Sequence, residues 1–363
     1  MEVFYTGYYI IYGVLTIIII LDSLGSFFNK RMLYVRYQDL IMLLFLSTYY
    51  ILLSTRSIDV GTDTENYHYL YESMYKYENY LSNTDIGFYL YNKLLIYIGV
   101  MPEIYLFFIS LLFVVPVYFA VKEFKNTNRV FLLWFFASLF IFVTMSTNIL
   151  RQGIGGVFAM WGISLYLNRV GNSKKFMIPL LIAPFFHISL LLVILMFFIS
   201  KKIKNIKVVH IVLLVSIILS YLNFNLNSTL GNLPVVGEMF MDRVGGYLGE
   251  NFKNYKVGFR LDFLIFNLFF VFFGYYLLKF KKIEQKFPLY RRVYVMYVLL
   301  TAYFTIMFNI PFSDRFGVLS WGLIPFIMYP LYSLSNFNNN NIKLMSVVLG
   351  LSLFIIFNVI MVE

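Results

Sequence analysis

NILRQGIGGVFAMWGISLYLNRVGNSKKFMIPLLIAPFFHIS, residues 148–189, decides what kind of protein this is. It places Arg151 and Gln152 in strongly apolar surroundings. It runs through one apolar segment to a short basic turn (Arg169, Lys174, Lys175), re-enters apolar sequence and reaches His187. An arginine and a histidine set among segments of membrane character are expensive unless they face a partner, a cavity or an interface, so both are candidate functional residues.

The rest of the chain agrees with a membrane class. Of its 363 residues, 60% are hydrophobic and 13% charged, and the mean hydropathy is +0.76, far outside the range of soluble domains. One integral membrane domain over residues 1–363 is expected, an all-α polytopic bundle of about ten to twelve spanning or re-entrant helices. The chain contains no cysteine and three well-separated histidines. It therefore has no disulfide framework and no metal-ligand spacing, and no metal or other cofactor is expected. Glu2 stands where a secretory signal would be basic, so no cleavable leader is expected. The net charge of +11 sits in short loops between apolar runs, which is the pattern of membrane orientation rather than of nucleic-acid binding.

In chain order, spans are expected at residues 3–21 and 39–54, followed by a polar outer loop, 55–86. Segment 87–100, interrupted by Asn92 and Lys93, reads as a helix lying at the outer interface. Spans follow at 104–121, 130–147 and 154–167. Segment 176–199 has basic residues at both ends and reads as a re-entrant hairpin with its apex near 184–189. Span 208–221 leads to a second outer loop, 223–258, and the last spans are 259–278, 293–310, 316–334 and 342–362. In this topology only nine of the 29 Lys and Arg lie on the outer face, whereas 14 of the 18 Asp and Glu do. A competing topology makes 87–100 a true span and 176–199 a single helix, and it moves Arg151 to the cytoplasmic side.

The favoured topology gathers Arg56, Asp63, Arg151, His187, Arg243, Arg260, Asp314 and Arg315 near the outer boundary. Converging arginines with an acid and a histidine suit a phosphate or diphosphate, because the planar guanidinium fork matches its oxygens better than an ammonium does. A diphosphate beside a hydrophobic cavity is what a polyprenyl-diphosphate-linked sugar presents.

Four stretches carry a family resemblance. RSIDVGTDTENY (56–67), ILRQGIGG (149–156), APFFHISL (183–190) and SDRF (313–316) resemble, in matching order, the signature elements of EpsG-like proteins. Gly155 and Gly156 stand where the family has another small residue after Arg-Gln, and the element at Arg315 lacks the family's tyrosines. The resemblance implies the Wzy class of bacterial surface-glycan (O-antigen-type) polymerases, with a GT-C-like bundle and metal-independent glycosyl transfer. It implies an undecaprenyl-diphosphate-linked oligosaccharide as donor and as acceptor, and a location in the inner (plasma) membrane with the site on the periplasmic or outer side. Membrane lipid and a polysaccharide chain-length regulator are the other expected partners, with no nucleic acid. Arg151, His187 and Asp63 are then the expected catalytic residues. Arg56, Gln152, Arg243, Arg260, Asp314 and Arg315 are the expected diphosphate ligands.

Each residue also has a structural reading. Arg151 would cap a helix and snorkel to headgroups, His187 would bond a carbonyl, and Asp63 would serve a turn. Arg243, Arg260 and Arg315 would pair with Asp242, Asp262 and Asp314. Three other functions share the membrane class: a lipid-linked oligosaccharide flippase, an O-antigen ligase and a membrane acyltransferase. A flippase would show repeat symmetry between its halves and mid-membrane charges, and neither is evident in this sequence.

Overall fold

Backbone polar groups have no water to bond in a bilayer, so apolar runs of this kind must close their hydrogen bonds as helices. The computed structural model describes residues 2–27, 37–77, 84–124, 127–168, 174–224, 257–281, 283–332 and 340–356, and these form helices, turns and loops with no β-strand. The helices are α1 (Glu2–Phe27), α2 (Gln38–Ser54), α3 (Thr64–Lys76), α4 (Ile86–Tyr97), α5 (Tyr105–Lys122), α6 (Arg129–Ser138), α7 (Phe140–Thr147) and α8 (Leu150–Leu167). They continue with α9 (Met177–Phe186), α10 (Leu190–Lys202), α11 (Ile206–Tyr221), α12 (Leu261–Lys279), α13 (Tyr290–Ile306), α14 (Asp314–Trp321), α15 (Ile324–Met328) and α16 (Asn340–Phe354).

Among the described residues four helices are long and apolar enough to cross a membrane, and five if the bent pair α6–α7 counts as one span. The chain is an all-helical, polytopic membrane protein. Several other expected spans are helices that fall short of full length. The 17 residues of α2 rise about 26 Å, against about 30 Å of hydrocarbon.

Three segments depart from the sequence-based outline. The outer loop 55–86 contains α3, because Tyr67, Tyr71 and Met74 recur at helical spacing and are buried. Tyr71 stacks on Tyr105 at 4.2 Å and donates to the Val100 carbonyl at 2.7 Å. The span 130–147 breaks at Leu139, where the backbone becomes extended and the axis turns by 76°. No proline or glycine marks that break; the Ser138 hydroxyl bonds back to Phe135 O at 2.7 Å, a competitor to the helical ladder. The segment 316–334 divides into α14, α15 and a 3₁₀ turn at Tyr329–Tyr332, punctuated by Gly322, Pro325 and Pro330. Segment 176–199 breaks where expected, with α9 ending at Phe186 and α10 starting at Leu190.

The chain packs as two compact units, Met1–Leu191 with Met328–Glu363, and Leu192–Ile327. In the first unit, polar groups gather at opposite ends of α2. At its start, Asn128 donates to Asp22 at 3.2 Å, while Arg129 bonds Gln38 through its backbone N–H and its side chain and pairs with Asp39 at 2.7 Å. At its end lie Arg56 and the loop that leads into α3. Between these ends three aromatic residues carry satisfied polar tips: Tyr49 bonds Ser146 at 2.6 Å, Trp134 donates to Thr16 at 2.8 Å, and Tyr8 donates to the Ala137 carbonyl.

The second unit is built around Asn267, which is 1% exposed. Its amide donates to Phe263 O at 2.8 Å, and its carbonyl accepts from Tyr297, Thr301 and Ser320 at 3.2–3.4 Å. Such a buried network orders α12, α13 and α14 because each member satisfies another. His210 meets the Tyr294 hydroxyl at 2.6 Å, consistent with a structural role for that histidine.

Candidate functional site

The site grows from the break between α7 and α8. The chain leaves α7 at Thr147, passes Asn148 and Ile149, and starts α8 at Leu150, so Arg151 stands in the first turn of α8. Gly153, next in that turn after Gln152, lies against the backbone of Met145, and any Cβ there would overlap the Met145 carbonyl oxygen. Glycine is therefore what lets α8 fold back on α7 closely enough to aim its first turn.

The 56–64 loop clamps this break. Gly61 has φ +90°, which favours glycine, and a Cβ on it would come within 2.6 Å of the Thr147 carbonyl oxygen. Thr64 donates to Thr147 O at 3.0 Å, and the Thr62 N–H donates to the Asn148 side chain at 3.3 Å. Arg56 lies buried beneath the loop, 7% exposed. It donates to Leu53 O at 2.5 Å and meets Thr64 Oγ1 at 3.5 Å, while its Nε has no hydrogen-bond partner. Burial draws this guanidinium down to about 10, with the neighbouring Tyr49 and Tyr105 opposing the shift, and it remains charged at neutral pH.

Asp63 sits at the N-cap position of α3, with its side chain not used as a cap. Tyr67 follows four residues later and so lies on the same face of the helix. Its hydroxyl accepts from Arg151 Nε at 3.3 Å, and its ring centroid is 5.8 Å from the guanidinium carbon. The other anchor of Arg151 is Asp85, the residue before α4. Nη1 lies 2.8 Å from Asp85 Oδ2, with the carboxylate side chain 5% exposed and the arginine side chain 27%. Gln152 is buried beside Arg151. The surroundings are apolar: Tyr67, Phe88, Leu106, Leu150, Ile154 and Phe186 belong to one hydrophobic cluster.

His187 follows α9 in extended backbone. Its Nδ1 faces the Ser189 hydroxyl at 2.7 Å and accepts the Ser189 backbone N–H at 3.3 Å. A backbone N–H only donates, so Nδ1 holds a lone pair, and neutral His187 carries its proton on Nε2. The same turn reaches the arginine pair, since the Ile188 N–H donates to Asp85 Oδ1 at 3.3 Å. Gly155 is required to be small, since a Cβ there would lie 2.7 Å from the Ala183 carbonyl oxygen, whereas one on Gly156 would meet only the flexible end of the Met145 side chain.

Three of the four quoted motifs thus meet in the first unit, bringing Arg56, Asp63, Arg151, Gln152 and His187 onto neighbouring elements. Arg260, Asp314 and Arg315 belong to the second unit. Arg260 forks onto Asp262 at 3.0 and 2.6 Å and lies 4.0 Å from the centroid of the Phe263 ring, the local pairing its spacing suggests. Arg315 lies 5.1 Å from the Phe312 ring centroid, and Phe312 has φ +57°, a strained value for a bulky side chain. Arg243 and Asp242 lie outside the described residues. We expect Arg260→Gln to retain glycan-forming activity within about threefold of wild type in a complementation assay, as for a partly exposed local pair; a loss above tenfold would return Arg260 to the reacting centre.

Sequence reasoning misses Asp85 and Tyr67. In the sequence Asp85 is only the last polar residue of a loop, although an acid directly ahead of an apolar helix is a detectable signal.

A family model described as the EpsG family matches residues 36–363. No curated protein and no solved structure matches the chain.

Proposed function

The chain belongs to the EpsG family, and on that premise we propose that it is a polysaccharide polymerase that moves a growing glycan from a polyprenyl diphosphate carrier onto a lipid-linked repeat unit at the outer face of the plasma membrane. The observation that carries this reading is the placement of Arg151: a guanidinium at a helix start, gripped by Asp85 and Tyr67 within an apolar cluster and next to the His187 turn. Undecaprenyl diphosphate is the carrier we assign, and an O-antigen-type polymer the product class.

In the proposed reaction the acceptor hydroxyl attacks C1 of the donor glycan. The C1–O bond to the diphosphate breaks, and the bonding electrons leave with the diphosphate oxygen. Arg151 neutralises that charge as it develops, which is where preorganised donors contribute most to rate. Arg56 adds a second cation, itself buried, and Gln152 is a further candidate diphosphate ligand. The hydroxyl proton passes to the Asp63 carboxylate, which shares a helix face with Tyr67. His187 in its Nε2–H tautomer serves as a hydrogen-bond donor to the diphosphate or to the acceptor, not as the base. We assign the charge stabilisation to the arginines, whose planar forks match diphosphate oxygens.

The donor role of His187 makes a separable prediction. His187→Gln, whose amide also donates, should keep activity within about tenfold of wild type and exceed His187→Ala by a similar factor. Its pH–rate profile below neutrality should match that of wild type. Equal inactivity of the two variants would restore His187 as the base.

The function is tested by a glycan ladder from a strain lacking the protein. We expect single repeat units at the cell surface, with the ladder restored by the wild-type gene. Absence of any repeat unit at the surface would put a flippase or ligase reading ahead.

A further inference from the structure

We infer that Asp85 is a positioning residue that couples Arg151 to the His187 turn, so that the diphosphate ligand and the imidazole are set by one carboxylate. This inference rests on the reading of Arg151 and His187 as reacting-centre residues, but its geometry stands apart from it. The two oxygens of Asp85 face different elements. Oδ2 holds Arg151 Nη1 at the start of α8 at 2.8 Å, and Oδ1 takes the backbone N–H of Ile188 between α9 and α10 at 3.3 Å. The residue itself leads into α4, yet its side chain makes no cap bond to that helix. A local structural aspartate in this position would cap α4 through its side chain; this one reaches two distant partners.

The surroundings leave little room for an alternative arrangement. The side chain is 5% exposed. Gly87, two residues on, sits so close to Phe185 that a Cβ would lie 2.8 Å from its backbone, which presses the start of α4 against the end of α9. A carboxylate fixed between a guanidinium and a backbone amide keeps both at a set spacing. Movement of Arg151 toward an incoming diphosphate would be felt at Ile188, and so at the adjacent His187.

The test uses the full-length protein in lipid nanodiscs and has two independent arms. In the first, amide hydrogen exchange is followed in wild type, Asp85→Ala and Arg151→Gln. Coupling predicts that the peptide containing Ile188 exchanges about tenfold faster in both variants, even though residue 151 is far from that turn in sequence. Unchanged exchange at this peptide in Arg151→Gln would overturn the coupling, whatever the protein's activity. In the second arm, donor turnover is measured for Asp85→Asn, which keeps the shape and loses the charge. We expect kcat to fall at least thirtyfold, with KM for the lipid-linked donor unchanged or lower because Arg151 loses its competing anion. We also expect no additional loss when Asp85→Asn is combined with Arg151→Gln. Full activity of Asp85→Asn would remove Asp85 from the reaction and leave the polymerase reading standing. A wild-type protein that makes no glycosidic linkage would sink that reading, and the exchange arm would still decide the coupling.

Discussion

Arg151→Lys should be nearly as inactive as Arg151→Ala, with polymer formation reduced about 10²–10³-fold and the two variants within about tenfold of each other. The reason is geometric. Arg151 uses separate nitrogens for Tyr67 and Asp85, at 3.3 and 2.8 Å, and the fork of a guanidinium can do this while staying planar and presenting a fixed edge. A lysine ammonium is a compact point charge on a flexible stem. It would satisfy Asp85 or a phosphate oxygen, but it would not hold a defined plane between them. Turnover of a lipid-linked repeat unit by matched amounts of each variant checks the prediction. Near-normal activity of Arg151→Lys would show that charge alone suffices and that the planar geometry is incidental.

Gly153→Ala is expected to be the most damaging small substitution in the first unit. The added Cβ meets the carbonyl of Met145, which is backbone and cannot rotate aside, so α8 must move off α7. Overpacking of this kind costs about 3 kcal/mol or more, and it would displace Arg151, which stands two residues earlier. Gly13→Ala is the matched control. Gly13 lies in the middle of α1, and nothing stands within 4 Å of the position a Cβ would take, so there the change should be neutral or stabilising by about 0.5–1 kcal/mol. Thermal unfolding of both variants in detergent separates the cases. A Gly153→Ala protein that unfolds at the wild-type temperature and keeps its activity would refute the account of how the α7–α8 break is built.

Much of this architecture can be read from the sequence because its determinants are local. Uninterrupted apolar runs become helices, and the break around His187 falls where Pro184, a polar imidazole and Ser189 interrupt such a run. The pairing of Arg260 with Asp262 is legible for the same reason, two residues apart. What escapes is tertiary or ambiguous. The turn at Leu139 carries no proline or glycine. Helix α3 lies in a stretch polar enough to pass for a loop, although Tyr67, Tyr71 and Met74 repeat at helical spacing. Asp85 meets residues 151 and 188 only in the folded chain, and no spacing rule brings them to it. The tautomer of His187 depends on the Ser189 backbone amide, a contact that follows from the turn's geometry and not from its composition.

The most direct measurement is polymerisation by the purified protein in nanodiscs, supplied with a polyprenyl-diphosphate-linked repeat unit and resolved as a ladder. Elongated lipid-linked products are expected, with one free polyprenyl diphosphate released per linkage formed, and both should fall about 10²–10³-fold with Arg151→Lys. A wild-type protein that moves the repeat unit across the bilayer without forming any glycosidic bond, or an Arg151→Lys variant that elongates normally, would contradict this expectation.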